Sequence, residues 1–224
     1  MDPVLVVDCY VEGDGAANYR RLLGNTPVVV WRALFEVAPE RLGGFSGVMI
    51  SGSAACITHP EPWMAKLTAL IIEARAADVP ILGVCFGHQM VAHALFGEGT
   101  VQVSKTPEIG WTDICVTGDD SLLAGLGAGF NTFESHFDEV VAQPGMTVLA
   151  HSERCAVQAY RVDGARIWGV QFHSEMTEEE AVALAKRRIE GRPDLGLDVD
   201  ETIAEAKDST SIGQRIMRNF LEAP

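Results

Sequence analysis

Basic residues are scarce in this chain: 17 Lys and Arg stand against 31 Asp and Glu, giving a formal charge of −14 over 224 residues. A surface that tracks phosphates concentrates Lys and Arg, so the balance argues against nucleic acid and other polyanions as partners. Long apolar runs are also missing. Hydrophobic stretches break well before the roughly 20 residues needed to span a bilayer, and Met1 to Val7 has no basic n-region before it enters an apolar segment of strand length. The expectation is a soluble cytoplasmic protein with no membrane partner. Cys9, Cys56, Cys85, Cys115 and Cys155 are odd in number and widely spaced, with no CxxC pair and no histidine at metal-ligand spacing. That pattern argues against a disulfide framework and against a zinc site. Internal repeats and low-complexity linkers are absent as well. With 47% apolar residues and domains usually of roughly 100–200 residues, the chain reads as one domain over 1–224.

What is present alternates. Val4 to Val7, Val28 to Val30, Gly47 to Ile50 and Val79 to Val84 are short runs rich in β-branched residues, separated by longer amphipathic segments. Between the third and fourth, Glu61 to Ala77 repeats Trp63, Leu67, Leu70, Ile71 and Ala74 at helical spacing, as a crossover helix does. Such alternation predicts parallel strands. From Val101 the pattern changes to shorter candidates at Asp113 to Val116, Asn131 to Phe133, Val140 to Ala142, Thr147 to Leu149, Ala156 to Arg161 and Arg166 to Phe172, punctuated by Gly, Pro and Asp. After Met176 the chain turns helical, starting at Thr177 with Glu178 to Glu180, then Ala181 to Ile189 and Ser211 to Leu221. Arg192-Pro193 and the acidic Asp198 to Glu201 read as interruptions. The fold class expected is α/β: a three-layer, open mixed and mostly parallel sheet with helices on both faces, plus a helical C-terminal extension from about 177.

Two segments carry chemistry. In Gly83-Val84-Cys85-Phe86-Gly87-His88-Gln89 a cysteine stands where an apolar strand meets a helix, with glycines two residues before and after it. A nucleophile on such a sharp turn has strained backbone angles and no room for flanking side chains, which explains G-x-C-x-G as the cysteine counterpart of the G-x-S-x-G elbow. The same turn sets Cys85 at a helix N-terminus, where the dipole stabilises a thiolate. The glycines also fit plain strand-to-helix packing around a small buried thiol. His88, three residues into the helix, points away from the elbow tip and reads as a packing residue.

The second segment, Gly169-Val170-Gln171-Phe172-His173-Ser174-Glu175, ends another expected strand. Residues two apart in extended chain project to one side, so Glu175 reaches one imidazole nitrogen of His173 while the other faces a thiol. Taken alone, this is a surface His beside a surface Glu.

Together, G-V-C-F-G-H-Q and G-V-Q-F-H-S-E resemble the two signature segments of the class I, triad-type glutamine amidotransferases, particularly the GMP synthase-like glutaminase branch. The likeness runs from Phe45 to Glu175 and implies a flavodoxin-like fold, with Cys85 as nucleophile, His173 as base and Glu175 as its orienter. By the same likeness, Ser51-Gly52-Ser53 occupies the oxyanion loop, where the N–H of Gly52 or Ser53, with that of Phe86, would hold a developing oxyanion. Removing such a donor typically costs about 10²–10³ in rate. Gln89 matches the residue that holds the substrate's amino-acid head. Glu108-Ile109-Gly110-Trp111 resembles a segment near that pocket. Ser135, His136 and Phe137, with Asp138, match the S-H-x-D segment beside it, although His136 and Asp138 also fit ordinary hydrogen-bonding loop residues.

The resemblance implies an enzyme needing no metal and no cofactor, with glutamine or a γ-glutamyl small molecule as substrate. Cys85 adds to the γ-carbonyl, His173 protonates the leaving nitrogen, and water cleaves the thioester to give glutamate and ammonia. Nothing in the sequence resembles an acceptor domain, so ammonia goes to a separate synthetase unless the enzyme is a free hydrolase. Ser51-Gly52-Ser53 in place of the commoner G-G-P, followed by Pro62-Trp63, also resembles γ-glutamyl peptidases of the same superfamily. A third reading is a catalytically silent regulatory module, against which the intact Cys85, His173 and Glu175 speak. A homo-oligomer stays open.

Overall fold

The computed structural model describes residues 2–223. Met1 and Pro224, the ends of the expected single domain, and Met1 as the start of the amino-terminal run, lie outside the described residues. The element order is β1 (Val4–Asp8), α1 (Ala16–Leu23), β2 (Val28–Arg32), β3 (Gly47–Ile50), α2 (Met64–Ala76), β4 (Ile81–Val84), α3 (Phe86–Phe96), β5 (Val101–Val116), β6 (Gly129–Val140), β7 (Met146–His151), β8 (Ala159–Val162), β9 (Ile167–Val170), α4 (Glu178–Glu190), α5 (Val199–Ala204) and α6 (Thr210–Glu222). Among the described residues no helix is long and apolar enough to cross a membrane.

The strands form one nine-stranded sheet in the order β2-β1-β3-β4-β9-β8-β7-β5-β6. From β2 to β9 every pairing is parallel, and from β9 to β6 every pairing is antiparallel. Parallel pairing therefore accounts for half of the mixed sheet. The reason lies in the connections. β1 to β2 and β3 to β4 are joined through helices α1 and α2, and β2 to β3 through a long loop that crosses β1, whereas β5 to β9 follow one another through shorter connections that return the chain antiparallel.

Helices cover both faces, as the alternation in the strands demands. Leu5, Val7, Val48, Ile50 and Ile81 face Leu67, Leu70 and Ile71 of α2 and Met90 and Val91 of α3. Val4, Val6, Met49 and Leu82 face Tyr19 and Leu23 of α1 and Ile216, Met217 and Phe220 of α6. Each fully buried side chain of this size stabilises by about 1.5–3 kcal/mol relative to exposure. A smaller cluster of Trp111, Phe133, Met176, Ala181 and Ala185 seats α4 against β5 and β6. Thr177 caps α4 by accepting from the Glu180 N–H, while Glu180 accepts from the Thr177 N–H at 2.8 Å, the expected capping box.

Several boundaries differ from the sequence reading. Helix α1 was not expected. The pieces at Asp113 to Val116 and Asn131 to Phe133 belong to the long strands β5 and β6, whose register shifts between Val103 and Glu108, where Pro107 sits. Val140 closes β6, and Val141 and Ala142 are outside it. The acidic Asp198 to Glu201 does not only interrupt: Asp198 accepts from the Glu201 N–H and opens α5.

Candidate active site

Strands β4 and β9 are neighbours, paired Val84 to Val170, and the Cys85 N–H donates to the Val170 carbonyl at 2.8 Å. Both strands end at the same edge of the sheet. The residues just beyond them, Cys85 and His173, therefore meet there. His173 is held from the antiparallel half as well, since its N–H donates to the Phe133 carbonyl of β6 at 2.8 Å.

Cys85 has φ 52° and ψ −106°, a left-handed conformation that side chains rarely adopt. The flanking glycines are required by close approach. A Cβ on Gly83 would overlap the Gly87 carbonyl, and one on Gly87 would overlap the Ile50 carbonyl of β3. Phe86 is the first residue of α3, so its N–H has no acceptor within the helix. The Cys85 thiol is 5% exposed and its sulfur lies 3.9 Å from the Ser135 carbonyl.

His173 Nδ1 is 2.7 Å from Glu175 Oε1, both groups being buried. Burial alone would lower the imidazole pKa, but the charges of Glu175 and Cys85 beside it outweigh that and hold it well above the usual histidine value. Arg21 of α1 fixes the Glu175 backbone by donating to its carbonyl at 2.9 Å and pairs with Glu180 at 2.8 Å.

Gly52 lies between the two. A Cβ there would come 3.1 Å from His173 Cε1 and 3.7 Å from Cys85 Cβ. The Ser51 hydroxyl, fully buried, accepts from the Cys9 N–H and donates to the Gly52 carbonyl, each at 2.9 Å, and so sets the direction of the Gly52–Ser53 peptide.

A small pocket opens over the sulfur, lined by Ser53 to Cys56, Cys85, Phe86, Gln89, Ser135 to Asp138 and Arg188. The structure thus brings Ser53, Phe86, Gln89, Ser135, His136, Phe137 and Asp138 to the pocket over Cys85, beside Gly52, His173 and Glu175, whereas Glu108 to Trp111, expected near it, line a different cavity. Gln89 uses its amide nitrogen on the Asp138 carbonyl (2.9 Å) and on Gln171 Oε1 (3.0 Å), which leaves its oxygen as the group to offer a ligand. Both ring nitrogens of His136 are engaged within the protein: Nδ1 is 3.0 Å from the Asp138 carbonyl and Nε2 is 3.0 Å from Glu108 Oε2. Asp138 is committed to the Thr58 hydroxyl at 3.0 and 3.1 Å. Phe137 lies under two arginines, Arg188 and Arg192. His88 is fully buried against Tyr160, with ring centroids 4.8 Å apart, and burial pushes its pKa down to about 3, so it packs as a neutral ring.

Sequence reasoning missed the layer beneath. Glu134 of β6 is fully buried with neither oxygen hydrogen-bonded, and burial together with the nearby Glu108 carboxylate raises its pKa well above 4.5. Glu108, His136 and Cys155 each bring a ligand atom within 4.8 Å of the others. The Glu108 carboxylate, however, is already satisfied by Ser152 (2.7 Å), Gln158 (2.8 Å) and His136, and burial raises the Cys155 thiol, so the cluster is a closed hydrogen-bond network. A second cavity, about 410 Å³, lies elsewhere, between β5 and α5.

A thiol raised on a strained strand-to-helix turn, beside a histidine buried against a carboxylate at the edge of a parallel half-sheet, is the arrangement of the triad-type cysteine enzymes of the α/β class. Comparison with known proteins narrows the class. Residues 5–188 match the family model of class I glutamine amidotransferases. Over 142 residues the chain is 38% identical to one of the subunits of the glutamine-hydrolysing GMP synthase of Saccharolobus solfataricus, covering 63% of this chain and 73% of that one. Over 189 residues it is 41% identical to the glutamine-hydrolysing GMP synthase of Parafrankia sp., covering 80% of this chain but 32% of that longer one. Among solved structures, a glutamine amidotransferase of Thermotoga maritima superposes over the whole of both chains with TM-score 0.81 at 21% identity, a likeness of fold. One from Methylobacillus flagellatus is 27% identical, with TM-score 0.73, over 98% of this chain and 90% of its own. The chain belongs to the class I glutamine amidotransferase family and is a cysteine-dependent enzyme of that class.

Proposed function

We propose that this chain hydrolyses the γ-amide of glutamine through a cysteinyl thioester, and that it serves as the glutaminase half of a two-part GMP synthase. The carrying observation is the placement of Cys85, in its left-handed turn, across Gly52 from the His173–Glu175 pair. The Cys85 sulfur bonds to the carbonyl carbon of the γ-amide, the C=O π pair moves to oxygen, and the thiol proton passes to His173. The oxyanion is held by the N–H groups of Phe86 and of Gly52 or Ser53. His173 then gives the proton to the departing nitrogen and ammonia leaves. Water, deprotonated by His173, cleaves the thioester to glutamate and restores the thiol. The whole chain acts as one catalytic domain, and a separate synthetase takes the ammonia, in keeping with the relatives from Saccharolobus solfataricus and Sulfolobus acidocaldarius, which bear the names of GMP synthase subunits.

The Ser51-Gly52-Ser53 loop supports a second reading, hydrolysis of γ-glutamyl peptides by the same steps. Glutamate release from glutamine and from a γ-glutamyl dipeptide, measured for the chain and its Cys85→Ala variant, separates the two. Release from glutamine that vanishes in the variant supports the glutaminase, and release from the dipeptide alone supports the peptidase. Release that survives Cys85→Ala sinks both.

A further inference from the structure

The pocket over Cys85 has a charged wall that the motifs did not contain. It comes from α4, through Arg188. This side chain is half-buried and its Nε is buried without a hydrogen-bond partner. Its guanidinium carbon lies 5.8 Å from the centroid of the Phe137 ring, which Arg192 covers at 4.7 Å. The two arginines differ in their partners. Arg192 is held by Asp194 in a two-pronged contact, each bond 2.8 Å, whereas among the described residues Arg188 has no carboxylate within ion-pair distance. Asp138, the acid in the same pocket, is taken up by Thr58. The Arg188 charge also reaches Cys56, where it opposes the rise that burial imposes on that thiol. In a chain with 31 acidic and 17 basic residues, this cation lines the nucleophile's pocket without an ion-pair partner among the described residues.

A guanidinium presents a planar fork matched to a carboxylate, and stacking on an aromatic ring holds the plane before the ligand arrives. We infer that Arg188 binds a free carboxylate of the substrate and thereby seats the neighbouring amide carbon over Cys85. The inference rests on the hydrolytic reading above and adds its specificity determinant. The carboxylate comes from one of two sources, the α-carboxylate of the glutamyl group or the carboxylate of an amino acid on the leaving side.

The test uses the full chain, Arg188→Met and Arg188→Lys, each checked by thermal melting for an unchanged fold. Charged hydrogen bonds of this kind correspond to roughly 10- to 100-fold in affinity. Arg188→Met should raise KM by that factor with kcat little altered, and Arg188→Lys should fall between. A rise on glutamine and on γ-glutamylanilide, which lacks a leaving-side carboxylate, assigns the α-carboxylate. A rise confined to γ-glutamylglycine assigns the leaving side.

A second readout needs no turnover: the ratio of Cys85 alkylation rates by iodoacetate and by iodoacetamide. That ratio should drop in Arg188→Met. If it is the same as in the parent chain, the inference is overturned whatever the kinetics show. If it drops while the parent chain hydrolyses none of the glutamyl substrates, the carboxylate site stands and the hydrolytic reading is what has failed.

Discussion

Adding a single methyl group at Gly52 is the sharpest test of how tightly the nucleophile and its base are set. The backbone at Gly52 is not in the left-handed region, so alanine carries no conformational penalty and the whole effect comes from contact. The new Cβ would lie 3.1 Å from His173 Cε1, where carbon atoms prefer about 3.5–4.0 Å. Something must yield by roughly 0.4 Å. The ring is held by Glu175 at 2.7 Å and its backbone by the Phe133 carbonyl at 2.8 Å, and the Gly52 carbonyl is pinned by Ser51 at 2.9 Å. Either the imidazole or the Gly52 peptide therefore leaves its position. Since about 1 Å of misplacement costs about 10²-fold, Gly52→Ala should lower kcat about tenfold. KM should change little, because the lining of the pocket begins at Ser53. Overpacking by one methyl should cost about 1 kcal/mol, or about 2–4 °C in Tm for a chain of this length. Glutamate release at saturating glutamine, alongside a thermal melt, reads both. A kcat within twofold of the parent chain, or a loss confined to KM, would refute the reasoning.

Three further outcomes are expected. Glu175→Gln removes the carboxylate that keeps His173 raised, so kcat should fall about 10³–10⁴-fold and the alkaline limb of its pH profile should move to lower pH; an unmoved limb counts against the pairing. Ser51→Ala deprives two backbone groups of their shared hydroxyl and should cost about 1–3 kcal/mol in urea unfolding as well as kcat, through a loosened Gly52–Ser53 peptide; stability lost with kcat intact would separate Ser51 from the oxyanion loop. Glu134 has a folded pKa raised above 4.5, so the native state binds more protons than the unfolded state above that pH. Its contribution to stability is then full below about 4.5 and declines as pH rises through the folded value. Urea melts from pH 5 to 8 should show Glu134→Gln gaining on the parent chain as pH rises, and the opposite trend would mean that Glu134 is ionised in the fold.

The parallel half of the sheet was legible because its strands are buried on both faces and read as unbroken runs of Val, Ile and Leu. Both motif segments were legible because each sits at a strand end, where the turn chemistry is written in adjacent residues. Helix α1 was not, since only Ala16, Tyr19 and Leu23 of its eight residues are buried and the rest is polar. The long strand β6 was read in pieces because Glu134, Ser135 and His136 are polar in a place where a strand should be apolar; Glu134 and His136 lie against Glu108, while Ser135 lines the pocket over Cys85. Arg188 was hidden in a helix whose charges suggest a solvent face. A signal existed, though: Ala181, Ala185 and Arg188 fall on one helical stripe, so Arg188 prolongs the line by which two buried alanines bring α4 close.

The adjacency of β4 and β9 also governs timing. During synthesis at about 5–20 residues per second, the elbow carrying Cys85 leaves the ribosome seconds before the strand that carries its base, and the entire antiparallel half of the sheet is made in between. A nascent chain therefore displays its nucleophile without a partner. Cys85 and His173 can meet only once β9 lies between β4 and β8, so that completing the sheet also completes the catalytic pair.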